Sequence, residues 1–363
     1  MVKCLIDAKF VWHNLDGGSE MTPTVSIITP IYNASGLVKQ FIAMISHQRL
    51  RDIELIMIDD GSSDNTIEVV EDTIARNNRD GLRIELIKNH HVGPGSSRQT
   101  GLEVAKGKYI YFADADDFMH PELLSLCVQS LDRSMADFVY FNYRNVEKYD
   151  PSTFETIGVS ESKSISMDAK QFGEYYVHNS ADLGFGYLWN KVFRADKIRE
   201  WGIKFPAINT EEDAVFLFDL YAHSRRIEFL DYYLYQYVNN SASITHSRRD
   251  LQRFADNLRI RCDKCMWLLT DVWGFPPNAL QARVILRLVV ATIQLEIGNN
   301  SSLLTAARAW SRSRRDNYFQ QLLKYLNLVP KMTTTADAIV RGLLRLKLDL
   351  GLVVLVNTIG KRK

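Results

Sequence analysis

Two carboxylates separated by one residue, Asp114 and Asp116 of the segment Tyr-Phe-Ala-Asp-Ala-Asp-Asp, have the spacing that chemistry on a diphosphate requires. At the end of a strand such a pair projects to one side. It can hold a hard divalent cation through oxygen and leave other metal positions for two phosphates. A cation placed there neutralises a nucleoside diphosphate leaving group without proton transfer. A turn with capping acids explains an Asp-rich strand end equally well when nothing accompanies it. A second acidic cluster, Asp59-Asp60-Gly61-Ser62, also follows an apolar run. Its glycine and serine fit a tight turn leading into a helix, but two adjacent acids go beyond what a turn needs.

Other residues have the types an acceptor site would use. Thr210-Glu211-Glu212-Asp213 opens a helical pattern. Asp213 there can take a proton from an attacking hydroxyl, with Glu212 in support; acids in a first helical turn also simply favour the positive helix end. Trp189 can stack on a sugar face or fill a core. Lys191 can reach phosphates or a carboxylate, and His246 can approach phosphates or lie on the surface.

These residues need elements to position them, and the pattern supplies strands alternating with helices. Val25–Ile31 is a β-branched run followed by a helical pattern from Leu37 to His47; Glu54–Ile58 is a second strand, with Ser63 and Asp64 placed to cap a helix running to about Arg76. Arg83–Ile87, Tyr109–Ala113 and Asp137–Tyr143 read as further strands, with helices over Ser97–Ala105 and after Pro121. A helix is also expected from Glu212 to Ser224. Short apolar strands alternating with helices predict an α/β fold with a mostly parallel sheet and helices on both faces. Ligands gather beyond the carboxyl ends of such strands, where both acidic clusters fall.

Several of these motifs occur together in an order that resembles the family 2 glycosyltransferases of bacterial surface-polysaccharide type. They are Val-Ser-Ile-Ile-Thr-Pro-Ile-Tyr-Asn, Glu-Leu-Ile-Met-Ile-Asp-Asp-Gly-Ser-Ser-Asp, the stretch from Gly93 to Gly101 leading into Ala-Lys-Gly-Lys-Tyr-Ile, and Asp-Ala-Asp-Asp. The resemblance runs from about Thr24 to Ser243 and implies a GT-A fold, Rossmann-like, with a nucleotide-binding half and an acceptor half. It implies donor contacts at Pro30, Tyr32, Asn33, Asp60, Arg98 and Asp114. Asp116 would be the ligand for manganese or magnesium and Asp117 an acid behind it; Asp213 would be the base, with Glu212, Trp189 and Lys191 toward the acceptor. Gln99 stands where the family commonly has asparagine. The implied reaction is inverting transfer of one sugar from a nucleotide-sugar, a uridine diphosphate donor by family habit, to a glycan or lipid-linked acceptor. The Gln-x-x-Arg-Trp segment of processive synthases is missing.

Three other classes can be weighed against this pattern. A nucleotidyltransferase would carry a Gly-rich basic loop after the first strand, where this chain has Pro-Ile-Tyr-Asn. A non-catalytic carbohydrate-binding protein of the same fold would tolerate loss of acids, yet all are present. A dinucleotide-dependent oxidoreductase needs Gly-x-Gly-x-x-Gly after the first strand, and this chain lacks it.

Composition and charge set the frame. The 363 residues, 46% hydrophobic and 24% charged, suit one large domain and a smaller region. The expected division is an extension over 1–23, a catalytic domain over 24–247 (nucleotide half 24–117, acceptor half 118–247) and a basic helical region over 248–363. The polar stretch from Asp150 to Ser166 reads as a loop. From Arg248 onward, roughly 20 Lys and Arg face about 8 Asp and Glu, leaving an acidic first part despite a net charge of +1. Arg308–Arg315, Ile339–Ile359 and Lys361-Arg362-Lys363 mix cations with apolar residues, as does a helix lying on an anionic membrane; packing on the catalytic domain or on a second copy is the alternative. No nucleic-acid motif accompanies the charge. Cys4, Cys127, Cys262 and Cys265 form no disulfide framework, and the Cys262/Cys265 pair lacks partners for zinc. With no apolar leader and no run of about 18 apolar residues, the expectation is a cytoplasmic protein, peripheral at most on the inner face of the membrane.

Overall fold

The computed structural model describes residues 11–12, 22–77, 80–151, 154, 164–179, 186–239, 250–330 and 335–360. The sequence expectations for His246, Cys4, most of the 1–23 extension, much of the 150–166 stretch and the final Lys361-Arg362-Lys363 lie outside these residues. The chain separates into two compact units, one of Met1–Phe172 with Ala181–Ser243, the other of Gly173–Ser180 with Ile244–Lys363.

In the first unit the nucleotide-side elements are β1 (Val11–Trp12), β2 (Val25–Ile31), α1 (Val38–Ser46), β3 (Ile53–Asp59), α2 (Thr66–Arg76), β4 (Leu82–Lys88), α3 (Pro94–Val104) and β5 (Tyr109–Phe112). They are followed by β6 (Phe118–Met119), α4 (Leu123–Ser134), β7 (Phe138–Val146), β8 (Ser164–Asp168), α5 (Ala169–Asn179, which continues into the second unit), β9 (Lys191–Arg194), α6 (Ala195–Glu200), α7 (Glu212–His223) and β10 (Arg226–Val238). The strands form one sheet in the order β1-β4-β3-β2-β5-β9-β7-β10-β6, with β8 paired to β10.

Strands β4, β3, β2 and β5 run parallel, as do β7 and β10. Strand β9 enters between β5 and β7 antiparallel to both, so the largely parallel sheet also has antiparallel members. The continuous apolar runs of β2, β3 and β5 reflect burial on both faces: every residue of β3 and β5 is buried. Pro30 sits in a central strand without cost to the ladder there, because β5 pairing ends at Ile28. The buried Glu54 in β3 is satisfied, accepting from the Ser26 hydroxyl at 2.6 Å and the Lys106 amide at 3.0 Å.

Two features differ from the sequence pattern. Helix α3 starts at Pro94 rather than Ser97: the Gly-Pro pair is a helix start, with proline pre-set for the first turn. Residues 226–238, which the sequence reading left unassigned, form the longest strand, β10. Helix α7 is buried along most of its length, with Phe216 stacked on Phe205 at 4.2 Å and Phe205 edge-on to Phe112 of β5 at 5.3 Å. This aromatic packing fixes the helix whose first turn carries Glu212 and Asp213.

The second unit is helical: α8 (Leu251–Met266) extended by a π-helical turn (Trp267–Val272), then α9 (Ala279–Asn299), α10 (Leu303–Ser313), α11 (Asn317–Leu328), α12 (Thr335–Arg345) and α13 (Asp349–Gly360). Reciprocal capping boxes at Asn278 and Ser302 start α9 and α10. Arg314 grips Asp349 through two hydrogen bonds of 2.7 and 2.9 Å, tying α10 to α13. Cys262 and Cys265 are buried in α8 and free; burial pushes both thiols up to about 12, which suits packing rather than metal or redox work. Among the described residues no helix is long and apolar enough to cross a membrane.

Candidate active site

Strand β5 delivers three acids into three environments. Asp114, half-buried, accepts from Arg98 Nη2 at 3.0 Å. Asp117 is buried and held on both oxygens, by the Tyr235 hydroxyl at 2.8 Å and the Val238 amide at 2.8 Å, both from β10. Asp116 makes no hydrogen bond or ion pair to another residue among those described. Burial and the charge of Asp114 push its carboxyl up to about 6; burial with the charges of Asp114 and Asp116 pushes Asp117 up to about 8.

Helices α3 and α7 meet at their first turns, close enough that a Cβ on Gly95 would lie 2.9 Å from Glu212 Cγ. This approach lets one arginine reach three acids from two parts of the chain. Buried Arg98 donates Nη1 to Glu212 at 3.1 Å and to Asp213 at 3.0 Å, while Nη2 holds Asp114. Burial opposes its charge, but Asp213, Asp114 and Glu212 together outweigh that and hold the guanidinium above its usual range. Its Nε is buried with no partner among the described residues. Burial, opposed by Arg98 and reinforced by Glu212 and Asp114, pushes Asp213 up to about 8; burial likewise raises Glu212. Glu211, just before α7, takes a left-handed conformation at φ 67°, a strained geometry for a residue other than glycine that aims this acidic turn.

Lys191 is fully buried, with Nζ donating to the Tyr187 carbonyl at 2.7 Å and to Asn190 Oδ1 at 2.6 Å. Burial drives its ammonium well below the usual lysine range, with Asp213 opposing. Trp189 is 3% exposed, its ring stacked with Tyr235 at 4.5 Å and Tyr187 at 4.8 Å. The indole is therefore a core residue, not an open sugar platform. Gln99 lies in a structural link, accepting from the Phe205 amide at 3.0 Å.

At the ends of β2 and β3 the acids do different work. The two oxygens of Asp60 accept from the Val92 amide (2.9 Å), the Gly93 amide (3.0 Å) and the Ser97 hydroxyl (3.0 Å), and His91 Nδ1 lies 2.9 Å away. Gly93 at φ 93° permits the turn that brings these donors round. Asp60 thus organises the loop before α3. Asn33, at φ 47°, accepts from the Ser63 amide at its Oδ1 at 2.8 Å and donates its own amide to the Ser62 hydroxyl, so it closes the 61–64 turn. Tyr32 remains 43% exposed beside the ring of His91 at 4.5 Å, and Pro30 is half-buried nearby in sequence. Asp59 was the acid passed over in the sequence: Oδ2 accepts from the Ser62 amide at 3.1 Å, while Oδ1 is buried without a partner among the described residues, as is Thr29 Oγ1. The adjacency of two acids was the available signal.

Among the described residues no group of three or more His, Cys, Asp or Glu forms a ready metal cage. The donor set nevertheless fits a hard cation that brings its own oxygen ligands. Asp116 is half-buried and has no hydrogen-bond or ion-pair partner in another residue among those described, which leaves its carboxylate oxygens open to such an ion.

Residues 26–195 match the family model "Glycosyl transferase family 2". The chain is similar to the uncharacterized glycosyltransferase EpsJ of Bacillus subtilis, 28% identical over 230 residues, which cover 62% of this chain and 64% of EpsJ, under two thirds of that relative. In structure it is similar to Staphylococcus aureus TarS 1–349 in complex with UDP-GlcNAc, with TM-score 0.55 and 18% identity over 82% of this chain and 90% of that one. It is also similar to the mannosyltransferase PcManGT of Pyrobaculum calidifontis, in complex with GDP-Man and Mn2+, with TM-score 0.51 and 14% identity over 93% and 88%. The first unit has the GT-A fold, and residues 26–195, somewhat under half of the chain, match the family 2 glycosyltransferases.

Proposed function

We propose that the chain is an inverting, metal-dependent glycosyltransferase that moves one sugar from a nucleotide-sugar to a glycan or lipid-linked acceptor. The observation that carries this reading is the acid centre, where Asp114, Glu212 and Asp213 share buried Arg98 while Asp116 beside them has no partner in another residue among those described. In this reading Asp114 and Asp116 face the donor diphosphate, and manganese or magnesium at Asp116 supplies charge neutralisation for the leaving group. The acceptor hydroxyl attacks the anomeric carbon, Asp213 takes its proton, and the bond from sugar to diphosphate oxygen breaks with inversion. A carboxyl pushed up to about 8 is a competent base near neutrality. Arg98 holds that base toward the reaction centre. Tyr32 and Pro30 border the base, with Asp59 the better candidate than Asp60 for a direct contact.

Residues 24–117 then form the nucleotide half, 118–247 the acceptor half, and 248–363 a region for location or self-association. A uridine diphosphate sugar is the first donor to try, on the strength of TarS; PcManGT with GDP-Man argues for including guanosine donors. TarS is a poly(ribitol-phosphate) N-acetylglucosaminyltransferase by name, which favours a surface-polymer role such as capsule or lipopolysaccharide synthesis. Exposed Leu346, Leu348 and Leu350 around Lys347 give the second unit a surface that suits peripheral membrane contact at the cytoplasmic face. Release of nucleoside diphosphate from a panel of nucleotide-sugars, with and without manganese, tests the enzyme. Metal-dependent release from one donor supports it; tight glycan binding without turnover of any donor would favour the carbohydrate-binding alternative, and release of pyrophosphate from a nucleoside triphosphate the nucleotidyltransferase. Vesicle sedimentation tests the membrane role, which predicts binding to anionic but not neutral lipid.

A further inference from the structure

Beside the acid centre stands a graded stack of aromatic rings that none of the roles above explains. Tyr235 and Tyr237, two residues apart on β10, project to one face. Trp189 stacks with Tyr235 at 4.5 Å and 7°, and with Tyr237 at 5.7 Å and 19°. Tyr187 stacks with Trp189 at 4.8 Å and 14°, and lies nearly parallel to Tyr237 at 6.3 Å. Tyr143 stands edge-on to both Trp189 and Tyr187. Exposure rises along the stack: Tyr235 is 0% exposed, Trp189 3% and Tyr187 45%.

The stack is anchored to the reaction centre at several points. The Tyr235 hydroxyl donates to Asp117, the Val238 amide just beyond Tyr237 donates to the same carboxylate, and buried Lys191 donates to the Tyr187 carbonyl. The Tyr111 hydroxyl of β5 donates to the Trp189 carbonyl at 2.9 Å, which ties the stack to the strand that ends in Asp114. An open ring of fixed tilt, backed by buried rings and a few residues from the acids, is an arrangement suited to the apolar C–H face of a pyranose. Its hydroxyl and that of Tyr237 add polar groups at the edge for sugar hydroxyls.

We infer that Tyr187, backed by Trp189 and flanked by Tyr237, is the platform on which the terminal pyranose of the acceptor stacks, so that its attacking hydroxyl faces Asp213. This rests on the proposed transferase reading and names its acceptor class: a sugar with a flat face of axial hydrogens, gluco- or galacto-configured, rather than a polyol phosphate or a protein side chain.

The test uses the full chain with UDP and manganese, and methyl β-glucoside, methyl β-galactoside and methyl β-N-acetylglucosaminide as probes. Saturation-transfer NMR should show transfer to the H3 and H5 protons of at least one of them. Tyr187→Phe should keep that transfer. Tyr187→Ala should lose it, raise the acceptor KM by roughly tenfold and leave UDP binding within about twofold. Saturation retained in Tyr187→Ala, or lost in a folded Tyr187→Phe, overturns the platform; so does the absence of saturation for all three sugars in the unaltered protein. Tyr187-dependent sugar binding without turnover of any donor keeps the platform and defeats the transferase reading. Turnover in Tyr187→Ala at an unchanged acceptor KM does the reverse.

Discussion

Asp60 after β3 and Asp116 after β5 are the same residue type at equivalent strand ends, yet the fold treats them in opposite ways. Asp60 meets two amides and a hydroxyl from the loop it organises, and Asn33 is consumed in the same way by the neighbouring turn. Beyond β5 the carboxylates outnumber their partners: Arg98 serves Asp114, Glu212 and Asp213 together, and Asp116 has none among the described residues. A satisfied carboxylate builds a loop; an unsatisfied one stores charge for a ligand to balance. The difference teaches which acids to mutate for structure and which for chemistry.

The sharpest way to break this comparison is at Asp213. Asp213→Asn keeps the shape and removes the base, so kcat for transfer should fall roughly 10²–10⁴-fold while donor KM changes little, measured by steady-state kinetics. Undiminished transfer would return the residue to a helix-start role. Next comes Arg98→Met, which leaves three acids without their shared cation. It should cost about 3–5 kcal/mol of folding stability in urea unfolding, because the remaining charges stay partly buried. Asp60→Ala should cost less, about 2–3 kcal/mol, by stranding the Val92 and Gly93 amides, with its main effect on stability rather than kcat. A large kcat loss in a stably folded Asp60→Ala would place that acid on the donor after all.

The smallest effect is a shift in pH dependence. Asp213 acts as base only when ionised, and its carboxyl is pushed up to about 8, so the rate at saturating donor should rise as pH climbs from 6 to 9. Glu212 adds to that upward push, so Glu212→Gln should move the rise to lower pH. A profile flat over this range, or one unmoved by the substitution, would separate the two residues.

Much of the nucleotide side was legible because its information is local. Buried strands leave unbroken apolar runs such as Leu-Ile-Met-Ile, and acids where those runs end mark the rim of the sheet. The mixed strand directions were not legible, since Lys-Val-Phe-Arg at Lys191–Arg194 has the same pattern whichever way it points. Strand β10 escaped because its tyrosines and charges blur the period-two pattern, although it supplies both partners of Asp117. Arg98 could be recognised as a site residue, but not its partners: Glu212 and Asp213 lie more than a hundred positions away, and only the close approach of α3 and α7 at Gly95 joins them. Trp189 was ambiguous for the converse reason, that a ring for stacking and a ring for packing have the same composition. Burial decides between them, and it moves the open face one step outward to Tyr187.

The central claim is that the acids beyond β5 hold a cation together with a nucleoside diphosphate. Electron paramagnetic resonance of manganese tests it most directly, because the six-line signal of the free ion collapses on binding. Adding UDP, or GDP should the donor screen select it, to the protein is expected to deplete free manganese strongly. Asp116→Ala, folded as the unaltered chain, is expected to leave the free signal intact. Manganese bound equally by Asp116→Ala, or binding that no nucleoside diphosphate enhances, would contradict the account.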